Sequence, residues 1–284
     1  MDRKHNRRQF LQILGAGTAA SIAAATSSSA QNRAGGVPAA KDTRLKLGLA
    51  SYSLRNFKLD QTLVMTQRLG LKYIALKSVH LPLESSPAQI AEAAEKVKKA
   101  GLELYGGGVI YMKDEAEVNR AFDYAKVAGM KVIIGAPGPA LLSLVNQKVQ
   151  QYDIKVAIHN HGPGDKNYRT PSSVYERIKD LDERIGLCND IGHTIRAGED
   201  PSVSAEKFAD RLLDVHIKDE SAATAKGQAV EVGRGVIDIP KFLRTLSKIN
   251  YAGVVAFEYE KDADDPLPGL AESVGYVRGV IATM

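Results

Sequence analysis

The chain has 284 residues, 44% hydrophobic and 25% charged, with a single cysteine and a formal net charge of +5. That length holds one large or two small domains, and the lone Cys188 excludes an intramolecular disulfide and any multi-cysteine zinc site. Setting aside Arg3, Lys4, Arg7, Arg8 and Asp2 takes the 38 basic and 33 acidic side chains to 34 and 32, so the rest is near neutral and no nucleic-acid partner is implied.

The first thirty residues read as an address. Arg7-Arg8-Gln9-Phe10-Leu11 leads into an uncharged apolar stretch over 10–25, followed by the small residues Ser28 and Ala30. A basic head, a short apolar run and small residues before a cut are the parts of an export signal. The arginine pair resembles the twin-arginine type, which carries folded proteins. The expectation is a signal over 1–30, cleaved after Ala30, a flexible leader over 31–44 and a catalytic domain over 45–284, delivered to the periplasm or secreted. The apolar run is short and rich in Ala, Gly and Ser, so no stable membrane insertion is expected after cleavage.

From Leu45 onward short apolar runs alternate with longer helical patterns. The expected strands are 46–52, 73–77, 103–107, 132–135, 155–159, 185–190, 212–217 and 253–258. Between them lie apolar stripes at helix spacing, such as Ile90, Ala94, Val97 and Ala100, then Val118, Phe122, Ala125 and Val127-Ala128. Gly70, Gly101, Gly129 and Gly253 follow the helices, as expected at helix ends. Eight such units in roughly 240 residues predict an α/β fold of the (β/α)8 TIM-barrel type. The rival, a doubly wound dinucleotide-binding sheet, lacks its Gly-x-Gly-x-x-Gly after the first strand. Gly106-Gly107-Gly108 has a different spacing and reads as a loop lying against something bulky.

The unusual residues fall at the C-terminal strand ends, where barrels keep their chemistry. Five of the six histidines lie there: His80, His159, His161, His193 and His216. Lys77, Asp190, Lys218, Asp219 and Glu258 join them. Each has a plain explanation alone, such as a turn-forming Asp190 or an ion pair of Glu258 with Lys77 or Lys218. Together they are costly to bury unless a cation or substrate satisfies them. Strands five to eight each offer a ligand, so His159, Asp190, His216 and Glu258 form the expected metal set. Two imidazoles and two carboxylates favour one divalent Zn, Mn, Co or Fe over Mg or Ca. Lys77, His80, His161, His193, Lys218 and Asp219 would surround the metal or touch substrate. Asp219 or Asn160 would accept the outer N–H of a metal-bound histidine.

Several motifs together resemble the xylose isomerase-like barrels known as sugar phosphate isomerases/epimerases. They are Ala157-Ile158-His159-Asn160-His161-Gly162, Gly186-Leu187-Cys188-Asn189-Asp190-Ile191-Gly192-His193, Asp214-Val215-His216-Ile217-Lys218-Asp219, Val232-Gly233-Arg234-Gly235 and Gly253-Val254-Val255-Ala256-Phe257-Glu258. The resemblance covers nearly all of 45–284. It implies a divalent metal held by His159, Asp190, His216 and Glu258. Many members carry Glu where this chain has His159; in the epimerases that Glu is also a base, so the two-glutamate mechanism does not carry over unchanged. The segment from Ala75 to Pro82 resembles exported bacterial members, and related barrels cleave 3-keto-glycosides by elimination.

The resemblance implies proton abstraction through a metal-stabilised enediolate, with isomerisation, epimerisation and elimination as its outcomes. Glu258, His161, His193 and Lys77 are the catalytic candidates; His80, Lys218, Asp219 and Arg234 are the substrate-binding candidates. Sugar phosphates are chiefly cytosolic, so an exported enzyme is expected to meet an unphosphorylated sugar or glycoside as its small-molecule partner. Arg234 suits a phosphate, a carboxylate, sugar hydroxyls, or the ordering of the 220–235 loop. The other readings are a non-catalytic exported sugar-binding barrel and, disfavoured by charge, an abasic-site endonuclease. A homo-oligomer is compatible with the sequence.

Overall fold

The computed structural model describes residues 45–284. The expected signal and leader lie outside the described residues. Eight parallel strands close into a barrel in the order β1-β10-β7-β6-β5-β4-β3-β2. They are β1 (Lys46–Ala50), β2 (Tyr73–Leu76), β3 (Glu103–Met112), β4 (Val132–Pro137), β5 (Lys155–His159), β6 (Ile185–Asp190), β7 (Leu212–Ile217) and β10 (Val254–Phe257). Between the last two, β8 (Asp219–Glu220) and β9 (Ala229–Val230) form a small antiparallel ribbon. The crossovers are made by α1 (Leu59–Arg68), α2 (Pro87–Lys99), α3 (Glu115–Ala128), α4 (Leu142–Tyr152), α5 (Pro171–Ile178), α6 (Ile191–Arg196), α7 (Pro201–Lys207) and α8 (Ile239–Lys248), with α9 (Leu267–Ala282) after the last strand. Parallel neighbours need such crossovers, which is why chain order becomes ring order. Among the described residues no helix is long and apolar enough to cross a membrane.

Local chemistry starts and stops these elements. Ser86 and Gln89 exchange backbone and side-chain hydrogen bonds at the start of α2, with Pro87 in its first turn. Asp114, Asp200 and Asp238 cap α3, α7 and α8 by accepting backbone N–H groups. On α8 the stripe Ile239, Phe242, Leu243 and Leu246 is wholly buried against the barrel.

Two cores result. The larger lies between sheet and helices and takes alternate strand residues such as Leu49, Ile74, Val156, Leu187, Val215 and Val255. The smaller gathers Ala50, Ala75, Tyr105, Val109, Ile134, Ala157, Cys188, Val254 and Ala256, from seven different barrel strands. Only the lumen of a closed barrel brings those positions into one cluster.

Three expectations are corrected. Strand one ends earlier: 51–54 form a 3-10 turn in which Ser51 Oγ accepts Lys77 N at 2.8 Å and Ser53 Oγ accepts Tyr259 N at 2.8 Å. The hydroxyls thus bind neighbouring backbone that the strand itself would leave unpaired. The glycine triplet is inside β3, where the register against β4 shifts between Gly107 and Ile110. A Cβ on Gly106 would stand 2.8 Å from Val132 O, so β3 approaches β4 more closely there than a side chain permits. The chain after α8 turns through Asn250 at φ 53°, while Gly253 instead clears space for the Tyr251 hydroxyl.

The close approach gives a stability prediction. Gly106→Ala should destabilise the fold by about 1–3 kcal/mol, because the obstructing atom is backbone. Gly279→Ala, on the open face of α9 with nothing within 4 Å, should stabilise by roughly 0.5–1 kcal/mol. Denaturant midpoints of the two variants measure both; equal shifts would contradict the packing described.

Candidate metal centre

Alternation along the strands builds this site. Ala157, Cys188 and Ala256 face the lumen, so His159, Asp190 and Glu258, each two residues later, face it at the C-terminal rim. On β7 Asp214 and His216 do the same, and Asp190 and His216 are direct register partners. All four expected ligands are buried: His159 is 2% exposed, Asp190 0%, His216 1% and Glu258 6%.

Their ligand atoms lie within 4.8 Å of one another. His159 Nε2 is 3.1 Å from His216 Nδ1, 3.3 Å from Asp190 Oδ2 and 3.9 Å from Glu258 Oε2. His216 Nδ1 is 3.9 Å from Asp190 Oδ2 and 3.2 Å from Glu258 Oε2. Four atoms held about 2.0–2.1 Å from a tetrahedral centre stand roughly 3.3–3.4 Å apart. The edges of 3.1–3.9 Å bracket that spacing, so the donor set fits a first-row divalent cation. Cys188 also comes near the two imidazoles. Its thiol donates to Asp214 Oδ2 at 3.3 Å, and burial, with Asp214 beside it, pushes its pKa up, away from the thiolate that binds metal.

The surrounding charges favour ionised carboxylates. Lys218 Nζ, itself buried, lies 2.8 Å from Glu258 Oε2, 2.9 Å from Asp190 Oδ2 and 3.0 Å from Glu260 Oε2. The ion pair of Glu258 therefore exists, with Lys218 as its partner. Burial opposes charge on Glu258, but Lys218, His216 and His159 hold its pKa well below the ordinary range. For Asp190 burial is likewise outweighed, by His193, Lys218 and His159. Burial also works against a charged His159, yet Asp190 and Glu258 hold its pKa up at about 9.

Three other catalytic candidates stand around the mouth. Lys77 Nζ donates to Val109 O at 2.9 Å and faces the Tyr52 and Tyr111 rings at 5.6 and 5.5 Å. Burial lowers its pKa against the pull of Glu258 and Glu260. The His161 and His193 rings lie 4.5 and 5.8 Å from that of His159. Burial pushes both pKa values down to about 4, so both are neutral at pH 7. His161 Nε2 pairs with the Tyr111 hydroxyl at 3.0 Å, and its Nδ1 is 3.3 Å from Asp165 Oδ2. His161 Nδ1 and His193 Nδ1 are both buried without a hydrogen-bond partner among the described residues.

The structure does not bring every expected substrate contact to this place. His80 is held by Ser51 Oγ at 2.8 Å, Thr62 Oγ1 at 3.0 Å and Phe57 O at 3.1 Å, joining the end of β1 to α1. Asp219 accepts the backbone N–H groups of Glu220, Gly233, Gly235 and Ile237, so it anchors the loop after β7. Arg234 makes a two-point ion pair with Glu272 on α9. Asn160 fixes the end of β6 through Asp190 N at 3.0 Å and Thr194 Oγ1 at 3.1 Å.

Sequence reasoning missed two buried carboxyls. Asp214 Oδ2 lies 3.5 Å from His216 Nε2, on the ring edge turned away from the cluster. His216 Nε2 makes no hydrogen bond among the described residues, so the carboxyl stands beside the imidazole without a bond to it. The two-residue spacing of Asp214 and His216 was the available signal. Glu220 is 1% exposed, and its Oε2 has no hydrogen-bond partner among the described residues. Its neighbour Arg196 comes from α6, and no local pattern announces the pair.

Burial pushes the Glu220 pKa from 4.5 up to about 7, against the pull of Arg196 and Lys218. The folded state then binds the proton more tightly than the unfolded one. Stability from this group is present below pH 4.5 and is lost as pH rises through about 7. Glu220→Gln should therefore gain on the wild type in denaturant midpoint between pH 4.5 and 8. A pH-independent difference would contradict the buried, half-titrated carboxyl.

Comparison with known proteins follows the same lines. The family profile "Xylose isomerase-like TIM barrel" matches residues 58–280. The rhizopine catabolism protein MocC of Rhizobium meliloti is 26% identical over 145 residues, 46% of this chain and 44% of that protein. An inosose dehydratase of Clostridium beijerinckii is 26% identical over 138 residues, 43% of this chain and 45% of that protein. The chain thus matches less than half the length of these relatives. Among solved structures, the IolI protein with a binding zinc atom superposes with a TM-score of 0.71 at 18% identity, covering 84% of this chain and 99% of that one. The 3-keto-D-glucoside 4-epimerase YcjR from E. coli gives 0.68 at 17%, covering 83% and 99%. Likeness at these identities shows the shared fold, and the profile match over most of the barrel shows more: the chain belongs to the xylose isomerase-like TIM barrel family.

Proposed function

We propose that this chain is a sugar isomerase/epimerase-type enzyme that uses one divalent cation and moves a proton at a carbon next to a carbonyl of an unphosphorylated sugar or glycoside. The observation that carries the reading is the buried cluster of His159 Nε2, Asp190 Oδ2, His216 Nδ1 and Glu258 Oε2. These side chains would hold the cation, and their nitrogen content favours Zn, Mn, Co or Fe. When bound, it supplies polarisation of a substrate oxygen and stabilises the negative charge that develops there as the proton leaves.

The chain's own groups supply the rest. A base must be unprotonated at working pH and have a lone pair free to take the proton. His161 Nε2 pairs with the Tyr111 hydroxyl, its Nδ1 stands 3.3 Å from Asp165 Oδ2 without a hydrogen bond, and Glu258 Oε2 faces His216 and Lys218. His193 is neutral with an unpartnered Nδ1, and takes the role of base. Lys77, held beside two tyrosine rings, is the donor toward a substrate oxygen. Lys218 keeps the two ligand carboxylates ionised.

Relatives named as an epimerase and as dehydratases support this class. Both reactions begin with loss of a proton next to a carbonyl, and the dehydratases also lose a group from the adjacent carbon. Elimination from a keto-glycoside on the same site is therefore the second reading. The arginine pair before the apolar run supports export to the periplasm, where unphosphorylated substrates are met.

The test is exchange in deuterium oxide with Mn²⁺, Co²⁺ or Zn²⁺ and a panel of ketoses and 3-keto-glucosides, read by mass. The wild type should place solvent deuterium on the substrate, or eliminate. His193→Ala should keep its cation and slow exchange by about 10²–10⁴-fold. Exchange at the wild-type rate in the variant would remove His193 as base. No exchange by the wild type with any sugar would leave the exported sugar-binding barrel as the better account.

A further inference from the structure

A cavity lies beside the centre. Glu260 Oε2 accepts Lys218 Nζ at 3.0 Å, and the same residue lines a cavity of about 300 Å³ together with Arg196, Glu220, Gln228, Ala229 and Lys261. Glu260 and Lys218 thus link this space to the ligand carboxylates. Its frame is firm. Asp219 fastens the base of the β8–β9 ribbon through four backbone N–H groups. Arg196 Nη2 holds the loop joining the two ribbon strands through Ala225 O at 3.2 Å. A Cβ on Gly192 would meet both the Lys218 stem at 2.5 Å and Glu220 Oε1 at 2.9 Å, so the Glu220 carboxyl is packed beside that lysine.

Two buried polar atoms here lack partners among the described residues: Glu220 Oε2 and Arg196 Nε. Buried polar groups are normally paired, and an unpaired one is unfavourable until a ligand meets it. The side-chain charges oppose one another, with Arg196 and Lys261 against Glu220 and Glu260. A phosphate would meet two carboxyls and is disfavoured. A hydroxyl accepts from Arg196 and donates to Glu220 at once, which suits a neutral polyol ring. The volume lies at the lower end of small-molecule sites.

We propose that this cavity is a second sugar subsite, holding through Arg196 and Glu220 the ring joined to the one that reacts, so that the substrate is a glycoside of at least two rings. This deepens, and rests on, the reading of the barrel mouth as a sugar site. Ala229 forms one wall and Arg196 one anchor, and each can be changed without touching the ligand cluster.

The experiment is calorimetric titration of the cation-loaded full chain with trehalose, maltose, cellobiose and gentiobiose, each compared with methyl α- and β-D-glucoside. At least one disaccharide should bind about tenfold or more tightly than its methyl glucoside, as expected for hydrogen bonds to charged groups. Arg196→Met, which removes the anchor, and Ala229→Leu, which fills the space, should each cancel that advantage, with cation uptake reporting that both variants are folded. Methyl glucosides that bind with no disaccharide advantage, or an advantage that survives both substitutions, would overturn the subsite alone. No binding of any sugar by a cation-loaded wild type would overturn both the subsite and the sugar reading.

Discussion

Two carboxylates taken out of water at the mouth of the barrel set the terms for the rest of the site. Asp190 and Glu258 have almost no exposure, and an isolated buried carboxylate would neutralise itself by taking up a proton. Here the Lys218 ammonium reaches both, and His159 Nε2 and His216 Nδ1 stand 3.3 and 3.2 Å from Asp190 Oδ2 and Glu258 Oε2. That arrangement exists only because β5, β6, β7 and β10 are neighbours in a closed ring. The level beneath is apolar and buried, with the small residues Ala157, Cys188 and Ala256. An open sheet would splay the same side chains apart.

Much of this was legible in the sequence because buried parallel strands read as apolar runs and their polar ends interrupt them. The ligand ends of β5, β6 and β7 coincide with their expected ends, and pleat phase then places His159, Asp190 and His216 on one face. Glycine was harder to read. Gly106, Gly107 and Gly108 look like a loop, but their lack of side chains serves a close strand contact and a register shift inside β3. His80, Asp219 and Arg234 have the right chemistry for substrate, yet each finds its partners in Ser51, backbone N–H groups or Glu272. Those partners come from other parts of the fold, which spacing along one segment does not reveal. Glu220 escaped for the same reason, since what makes it unusual is its burial against α6.

The imidazole of His159 carries a consequence for mechanism. At that position a third carboxylate would face Asp190 and Glu258 with one lysine among them, whereas a histidine adds a ligand without adding negative charge. In the proposed reaction the base is instead His193, whose ring lies 5.8 Å from that of His159 and whose Nδ1 has no hydrogen-bond partner among the described residues.

The central claim is that the four buried side chains hold one cation. Crystals of the full chain grown with Zn²⁺ or Mn²⁺, with data collected at the absorption edge of the metal, test it directly. The account predicts a single anomalous peak about 2.0–2.2 Å from His159 Nε2, Asp190 Oδ2, His216 Nδ1 and Glu258 Oε2, absent from His216→Ala. A peak elsewhere, or an empty centre at saturating metal with Lys218 still bridging Asp190 and Glu258, would contradict it and leave a buried ion pair in its place.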